Sequence, residues 1–266
     1  MKNMSGKTKK VLVTAASVIF WILVWLLASL AAGNSLILPG PGETVKRFIE
    51  LAGSVPFWKT VGLSCLRITG GLAAGFIVGM PLAMLAYAFK PASSLITPLI
   101  TVIRAVPVAS FIILALLWVG MDLIPSFISF LMVFPIVFTS VLTGLREIPD
   151  KHLKLIPLFG LSPGKALRLI YFPSVKPYFL SALRTSFGFS WKAGIAAEVL
   201  AFTPNSIGRH LSESRNYLET TDLFAWTFTV IIISLLLESL ISLSSRKKSK
   251  HVRNSNDSET SEEASA

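Results

Sequence analysis

The stretch VLVTAASVIFWILVWLLASLAA, residues 11–32, has 22 residues and no charged side chain. A helix of this length measures roughly 33 Å at about 1.5 Å per residue, enough to cross the hydrocarbon core of a bilayer. Two more uncharged runs, Ile68–Phe89 and Leu123–Leu145, have 22 and 23 residues. The three runs predict an all-α protein that crosses a membrane several times.

Three weaker runs raise the predicted number of transmembrane helices to about six. They are Ala105–Met121, Pro177–Ala201, which charged residues interrupt, and Leu223–Ser245, which contains one Glu. The charged fraction of the chain, 15%, is low beside about 25% for a soluble domain. The expected organisation is a basic arm (1–10), a transmembrane domain (11–245) and a Ser-rich tail (246–266) that we expect to be disordered.

The first run also has the basic flank of a secretory signal peptide, because four lysines lie between Lys2 and Lys10. The run is longer than the roughly 7–15 residues of a signal-peptide core, and no small-x-small cleavage site follows it convincingly. A retained first span is therefore the preferred interpretation.

Lysine and arginine are distributed unequally between the two sides of the predicted spans. The side formed by the N-terminal arm, Lys90, the loop 146–176 and the tail carries sixteen, and the other side carries five. Because basic residues accumulate on the cytoplasmic side, we expect a multi-pass plasma-membrane protein with both termini in the cytoplasm. The net charge of +11 then reports topology and lipid contact, and no nucleic-acid partner is needed to explain it.

Several classes of site are excluded by residue usage. The chain has one cysteine, Cys65, so no intrachain disulfide can form, and its three histidines are scattered. Neither a Walker A loop, nor a Rossmann glycine pattern, nor an H-E-x-x-H motif occurs. We therefore expect no catalytic residues, no metal site and no cofactor bound by this chain.

The stretch GLSPGKALRLIYFP, residues 160–173, interrupts the apolar blocks within the basic loop. Two short helices are predicted here, the first capped by Asp150 and ended by Gly160, the second capped by Ser162 and stopped by Pro173. Apolar residues recur at helical spacing in both pieces. They suit either docking into a groove of a partner protein or packing of the loop against its own membrane domain.

Prolines in one segment and small residues in another predict how their helices bend and pack. Pro91, Pro98 and Pro107 make a straight helix unfavourable beside Arg104, so this segment is either a broken helix bordering a pathway or a structural kink. Small residues between positions 70 and 79, including Gly71 and Gly75, allow close helix packing. We expect this packing to occur within the subunit rather than at a dimer interface.

The loop resembles the cytoplasmic signature of inner-membrane permease subunits of binding-protein-dependent ABC importers: E-A-A, three residues, Gly, nine residues, Ile-x-Leu-Pro. Gly160 is followed by nine residues and then by Ile170-Tyr171-Phe172-Pro173. Phe172 replaces the Leu, and Lys154-Leu155-Ile156 replace Glu-Ala-Ala. Further segments (LPGPGETVKRF, IRAVPVASFIILALLWVG, SWKAGIAAEVL and SIGRHLSESRNYLETTDLFAWT) are similar to the branch that serves nitrate, sulfonate, taurine and bicarbonate importers.

The resemblance implies a pathway formed by two permease subunits, which we expect to be identical. It also implies a separate ATPase that uses the ATP, and an extracytoplasmic binding protein that delivers a small solute of anionic or thiamine-precursor-like chemistry. It also implies a coupling helix between spans four and five that inserts into the ATPase. The residues implied in coupling are Lys154, Leu155, Ile156, Gly160, Leu161, Ser162, Leu167, Ile170 and Pro173.

Charges inside the fifth predicted span are the remaining candidates for a pathway. A charge at mid-membrane is costly, so it faces either a cavity or a partner. Lys192, beside Trp191, could attract an anion, and Glu198 could lie near an outer gate. In the alternative, each is bonded to charges on neighbouring spans, such as Arg67 or Arg104. A self-contained secondary transporter is the alternative function, although no internal repeat of the kind such folds show is visible.

Overall fold

The computed structural model describes residues 6–239, and side chains from Leu12 onward. This part is helical and contains no strand, so the all-α class is confirmed. Residues 1–5 of the predicted arm and the tail 246–266 lie outside it, whereas residues 6–10 begin the first helix. In chain order the helices are α1 Gly6–Ala32, α2 Pro41–Ala52, α3 Val55–Ala88, α4 Lys90–Ala105, α5 Val108–Ala115, α6 Ile124–Arg146, α7 Asp150–Leu158, α8 Pro163–Ala166, α9 Phe172–Ala201, α10 Ile207–Asn216 and α11 Thr220–Ser239.

Helix α6 forms the centre of the bundle and packs against α3 on one side and α9 on the other. Fourteen of its 23 residues are buried. Ile124, Ile128, Val133 and Val137 are fully enclosed. A helix that is apolar all round and lies between two others is the expected core element of a membrane bundle.

Small residues let α3 approach α6 closely. An ideal Cβ on Gly75 would lie 2.5 Å from Val133 Cγ1, and one on Gly71 would overlap the carbonyl oxygen of Ser126. Neither position can hold a side chain without moving α6. The predicted packing of the Gly71–Gly75 pair within the subunit is therefore confirmed.

The proline-rich segment is broken at one sharp bend. Helices α4 and α5 meet at an angle of 100° across Val106 and Pro107, while Pro98 is accommodated inside α4. The predicted span Ala105–Met121 is therefore wrong as a single helix, because α5 has only eight residues and reaches about 12 Å. Pro107 lacks an amide proton and fixes its own φ, which favours the bend at this point.

Within residues 6–239, four helices are long and apolar enough to cross a membrane, or five if the bent α4–α5 pair is one span. The four are Leu12–Ala32 of α1, α3, α6 and α11. Helix α9 has 30 residues, about 45 Å, but carries several charges. The count of six spans stays a prediction.

Helix α1 contrasts with α6, since no side chain from Leu12 to Ala32 is buried. It is attached mainly at its C-terminal end. There Trp25 Nε1 donates a hydrogen bond to Pro39 O at 3.1 Å, and the Trp25 ring stacks on Phe224 with centroids 5.9 Å apart. The apolar side chains of α1 that the described residues leave exposed can face lipid or another membrane helix.

Candidate functional site

The two short helices of the basic loop lie at one end of the bundle, where α3 ends, α4 begins and α6 ends. Helix α7 ends at Leu158, and Gly160 reverses the chain with φ +55°, a left-handed conformation that glycine adopts without strain. Helix α8 then starts with Pro163 after Ser162. The predicted end of α7 at Gly160 and start of α8 at Ser162–Pro163 are confirmed.

Three details of this loop differ from expectation. Pro149, not Asp150, occupies the N-cap position of α7, and Asp150 is the first helical residue. The Ser162 side chain makes no capping hydrogen bond. Pro173 does not stop the second piece, because a π-helical turn, Leu167–Tyr171, leads from α8 directly into α9. Pro173 lies in the first turn of α9, where a missing amide proton leaves no hydrogen bond unmade.

The loop has an inner apolar face that packs on the bundle. Ile170 is buried, and Ile156, Leu161 and Tyr171 pack against the core around α6. The Tyr171 ring contacts Tyr87 of α3 with centroids 6.3 Å apart. The loop is therefore held against its own membrane domain on this side.

An outer apolar face of the same loop has no cover within residues 12–239. Leu158 is 75% exposed, Phe159 68% and Leu169 60%. Leu155 and Leu167 are exposed beside the cationic side chains of Lys154 and Arg168. We refer to Leu155, Leu158, Phe159, Leu167 and Leu169 as the outer loop face. Several large apolar side chains exposed in one short loop are typical of an interaction surface.

A cleft of about 540 Å³ opens between the C-terminal end of α4, the middle of α6 and α9. Arg104, in the last turn of α4, is one of its lining residues. The α6 wall includes Pro135, Thr139, Ser140 and Thr143. The cleft is thus bounded on one side by the broken helix that the prolines predicted.

The other predicted pathway residues do not line this cleft. Trp191 is only 1% exposed and lies in a core cluster with Ile68 and Trp226, and its Nε1 has no hydrogen-bond partner among the described residues. Lys192, the next residue of α9, is exposed.

Glu198 is fully buried, and one of its oxygens joins three segments. Oε2 accepts hydrogen bonds from Ser64 Oγ of α3 at 3.0 Å and from Gly208 N of α10 at 3.1 Å. Ser64 Oγ in turn accepts from Ile207 N at 3.0 Å. A carboxylate at a helix N-terminus is favoured by the free amides and by the helix dipole.

The expected pairing of Glu198 with Arg67 or Arg104 is absent from the described contacts. Arg67 Nη2 donates to Asp122 Oδ1 at 2.7 Å, and its Nη1 donates to Pro204 O at 3.0 Å. Arg104 makes no ion pair within residues 12–239. The partners of Glu198 are a hydroxyl and a backbone amide, which charge counting could not have identified.

Two groups at the cleft were not singled out from sequence. The hydroxyl residues Thr139, Ser140 and Thr143 lie within one and a half turns of α6, and only their i, i+4 spacing beside Pro135 could have indicated a shared face. Tyr178 lines the cleft and donates a hydrogen bond to the Glu147 carboxylate. Within residues 6–239, no three His, Cys, Asp or Glu side chains are grouped so that they could hold a metal.

Relatives of known type share most of the chain. It is 26% identical over 220 residues to the taurine transport system permease protein of Escherichia coli, covering 80% of each chain. It is 24% identical over 255 residues to the bicarbonate transport system permease protein of Synechococcus elongatus, covering 91% of this chain and 90% of the relative. The putative aliphatic sulfonates transport permease protein of Bacillus subtilis is 24% identical over 244 residues, covering 91% and 87%.

The fold is similar to a chain of the MetNI methionine ABC transporter in an inward-facing conformation, with a TM-score of 0.58 at 17% identity, covering 75% of this chain and 99% of that one. Residues 71–250 match the family described as "Binding-protein-dependent transport system inner membrane component". The match covers more than half of the chain and includes α6, the loop with Gly160, and the cleft. The chain therefore belongs to the family of binding-protein-dependent transport system inner membrane components, as a multi-pass permease subunit of an ABC transporter and not an enzyme.

Proposed function

We propose that two copies of this chain form the transmembrane pathway of an ATP-driven importer. An ATPase subunit docks on the outer loop face, and an extracytoplasmic binding protein delivers the solute at the other end of the bundle. The solute is a small molecule of the kind named for the relatives, a sulfonate, taurine or bicarbonate. Both termini lie in the cytoplasm, in agreement with the excess of Lys and Arg on that side.

The observation that carries the proposal is the outer loop face itself. Leu158 and Phe159 expose large apolar side chains at the turn that Gly160 makes, while Ile170 and Ile156 fasten the same loop to α6 through the core. A partner that binds the outer loop face can therefore transmit a movement to the bundle through the inner apolar face of the same loop. Lys154, Ser162 and Pro173, all exposed, supply the polar and rigid rim of this contact.

The docking test is capture of the ATPase by the full-length chain in detergent extracts of its native membrane. We expect Leu158→Ser and Phe159→Ser together to abolish co-purification of an ATPase subunit and ATP-dependent uptake, because an apolar anchor at an interface is worth about 2 kcal/mol or more. The matched control is Leu36→Ser, 65% exposed in the turn before α2, at the other end of the bundle.

Retention of the ATPase by the double variant would contradict docking on the outer loop face. A chain that purifies without any ATPase, and moves solute alone in liposomes when a proton gradient is applied, would favour the secondary transporter instead. The Leu36→Ser control separates either result from a general effect of removing a surface leucine.

A further inference from the structure

The cleft beside the α4–α5 bend is lined by a cationic side chain and by several hydroxyl groups. Its lining includes one charged side chain, the cationic Arg104, and no acidic one. Hydroxyl groups from Thr139, Ser140 and Thr143 on α6 and from Thr185 on α9 also line it. The remaining lining residues, apart from Tyr178, are apolar, among them Ile136 and Phe189.

The guanidinium of Arg104 has no acidic partner in the part of the chain that the structure describes. Its side chain is exposed, and it makes no ion pair within residues 12–239. It lies in the last turn of α4, about 21 Å along the helix from Lys90 at 1.5 Å per residue. A cationic side chain within a membrane domain faces water or a partner of opposite charge.

Hydrogen-bond donors in the cleft are also left free. Thr139 Oγ1 donates to Pro135 O at 2.7 Å. The hydroxyls of Ser140, Thr143 and Thr185, in contrast, make no hydrogen bond to another described residue. The carboxylate of Glu147 accepts a hydrogen bond from Tyr178, which lines the cleft. A cleft with a free guanidinium and free hydroxyl donors favours an oxyanion and disfavours a cation.

The α6 wall changes character along its length. Leu131, Met132, Pro135 and Ile136 are apolar, and the next turn presents Thr139, Ser140 and Thr143. Residues four apart on a helix lie one above the other, so the wall has an apolar stretch followed by a polar one. A solute with a short apolar part and an oxyanionic head matches both stretches.

From these observations we infer that the cleft selects small oxyanions, such as sulfonates and carboxylates, and that Arg104 is the residue that sets this charge preference. The inference rests on the proposed function, because it assigns the solute class to the pathway of that importer. It adds a selection step inside the membrane domain, after delivery by the binding protein. The hydroxyls of α6 then offer successive hydrogen bonds to the anion as it moves past Arg104.

The test measures charge preference without any transport. Ser140→Cys is placed in the full-length chain with Cys65→Ala, in native membrane vesicles. The rate of its modification by 2-sulfonatoethyl methanethiosulfonate, an anionic probe, is divided by the rate with the trimethylammonium analogue, a cationic probe. The same ratio at Leu36→Cys, exposed and far from Arg104, serves as the reference.

We expect the ratio at position 140 to exceed the reference, and Arg104→Gln to lower it about tenfold, because a unit positive charge is removed from the lining of the same cleft. Arg104→Lys keeps the charge and should keep the ratio within about twofold. An unchanged ratio in Arg104→Gln, a preference for the cationic probe, or a cysteine that neither probe reaches would each overturn the inference. Failure of ATPase capture would instead refute the proposed function and leave this ratio readable.

Discussion

At the scale of single residues, Glu198 shows how a buried carboxylate is accommodated without a direct ion pair to any described residue. Its Oε2 is bound by the Ser64 hydroxyl and the Gly208 amide, while Oε1 has no hydrogen-bond partner among the described residues. The amide is presented because the chain turns sharply between α9 and α10, with positive φ at Phe202 and Asn205. The side chain thereby fixes α10 to α3 and α9.

Replacement of Glu198 by Ala should lower the stability of the folded chain. The change leaves the Gly208 amide buried without its acceptor and opens a cavity, each a cost of about 1–3 kcal/mol. We expect the thermal unfolding midpoint in detergent to fall by about 5 °C or more. Glu198→Gln, which keeps one acceptor oxygen, should fall less, and Glu219→Ala, at an exposed site, should not change the midpoint. A midpoint unaffected by Glu198→Ala would contradict a role in joining the three segments.

At the scale of elements, the sequence predicted the existence of helices better than their ends. Uncharged runs predicted α1, α3 and α6, because length and apolarity suffice to identify a membrane helix. Pro173 was misread as a stop signal, since a proline in the first turn of a helix and a proline after its end look alike in sequence. The π-helical turn at Leu167–Tyr171 has no periodicity that could reveal it.

The close approach of α3 to α6 gives a matched pair of neighbouring variants. Gly71→Ala should destabilise the bundle, because its Cβ would overlap the Ser126 carbonyl, whereas a Cβ on Gly70 would meet nothing within 4 Å. Overpacking of this kind costs about 1–3 kcal/mol. We expect Gly71→Ala to reduce the yield of monodisperse protein in detergent and its unfolding midpoint. Gly70→Ala should match the parent, and equal behaviour of the two variants would argue against the packing described here.

At the scale of the whole molecule, fold class and family could be predicted from sequence, while the site could be predicted only in part. The spacing from Gly160 to Ile170-Tyr171-Phe172-Pro173 identified the loop, because that motif is local. The cleft is assembled from α4, α6 and α9, which are far apart in the chain, so its hydroxyl lining could not be recognised. Arg104 was singled out from sequence, but its place in the cleft and its lack of an ion pair within residues 12–239 could be seen only in the structure.

The topology can be tested with two cysteines in a Cys65→Ala background. Leu36 and Ser162 are both exposed and lie at opposite ends of the bundle. If the basic side faces the cytoplasm, an impermeant maleimide should label Leu36→Cys in right-side-out vesicles and Ser162→Cys in inverted ones. Labelling in the reverse pattern would show that the charge asymmetry had been misread, and labelling of both in one type of vesicle would place them on the same side.

The contrast between α1 and α6 predicts that the two helices tolerate different kinds of substitution. Both helices are apolar, but α1 buries no side chain from Leu12 to Ala32, whereas α6 encloses Val133 and Val137 completely. An exposed side chain of α1 needs only to be apolar enough to face lipid, so many apolar replacements should be neutral. A buried side chain of α6 must also have the right volume and shape, because its neighbours are closely packed. A saturation library should therefore record tolerance governed by hydropathy along α1 and by volume along α6.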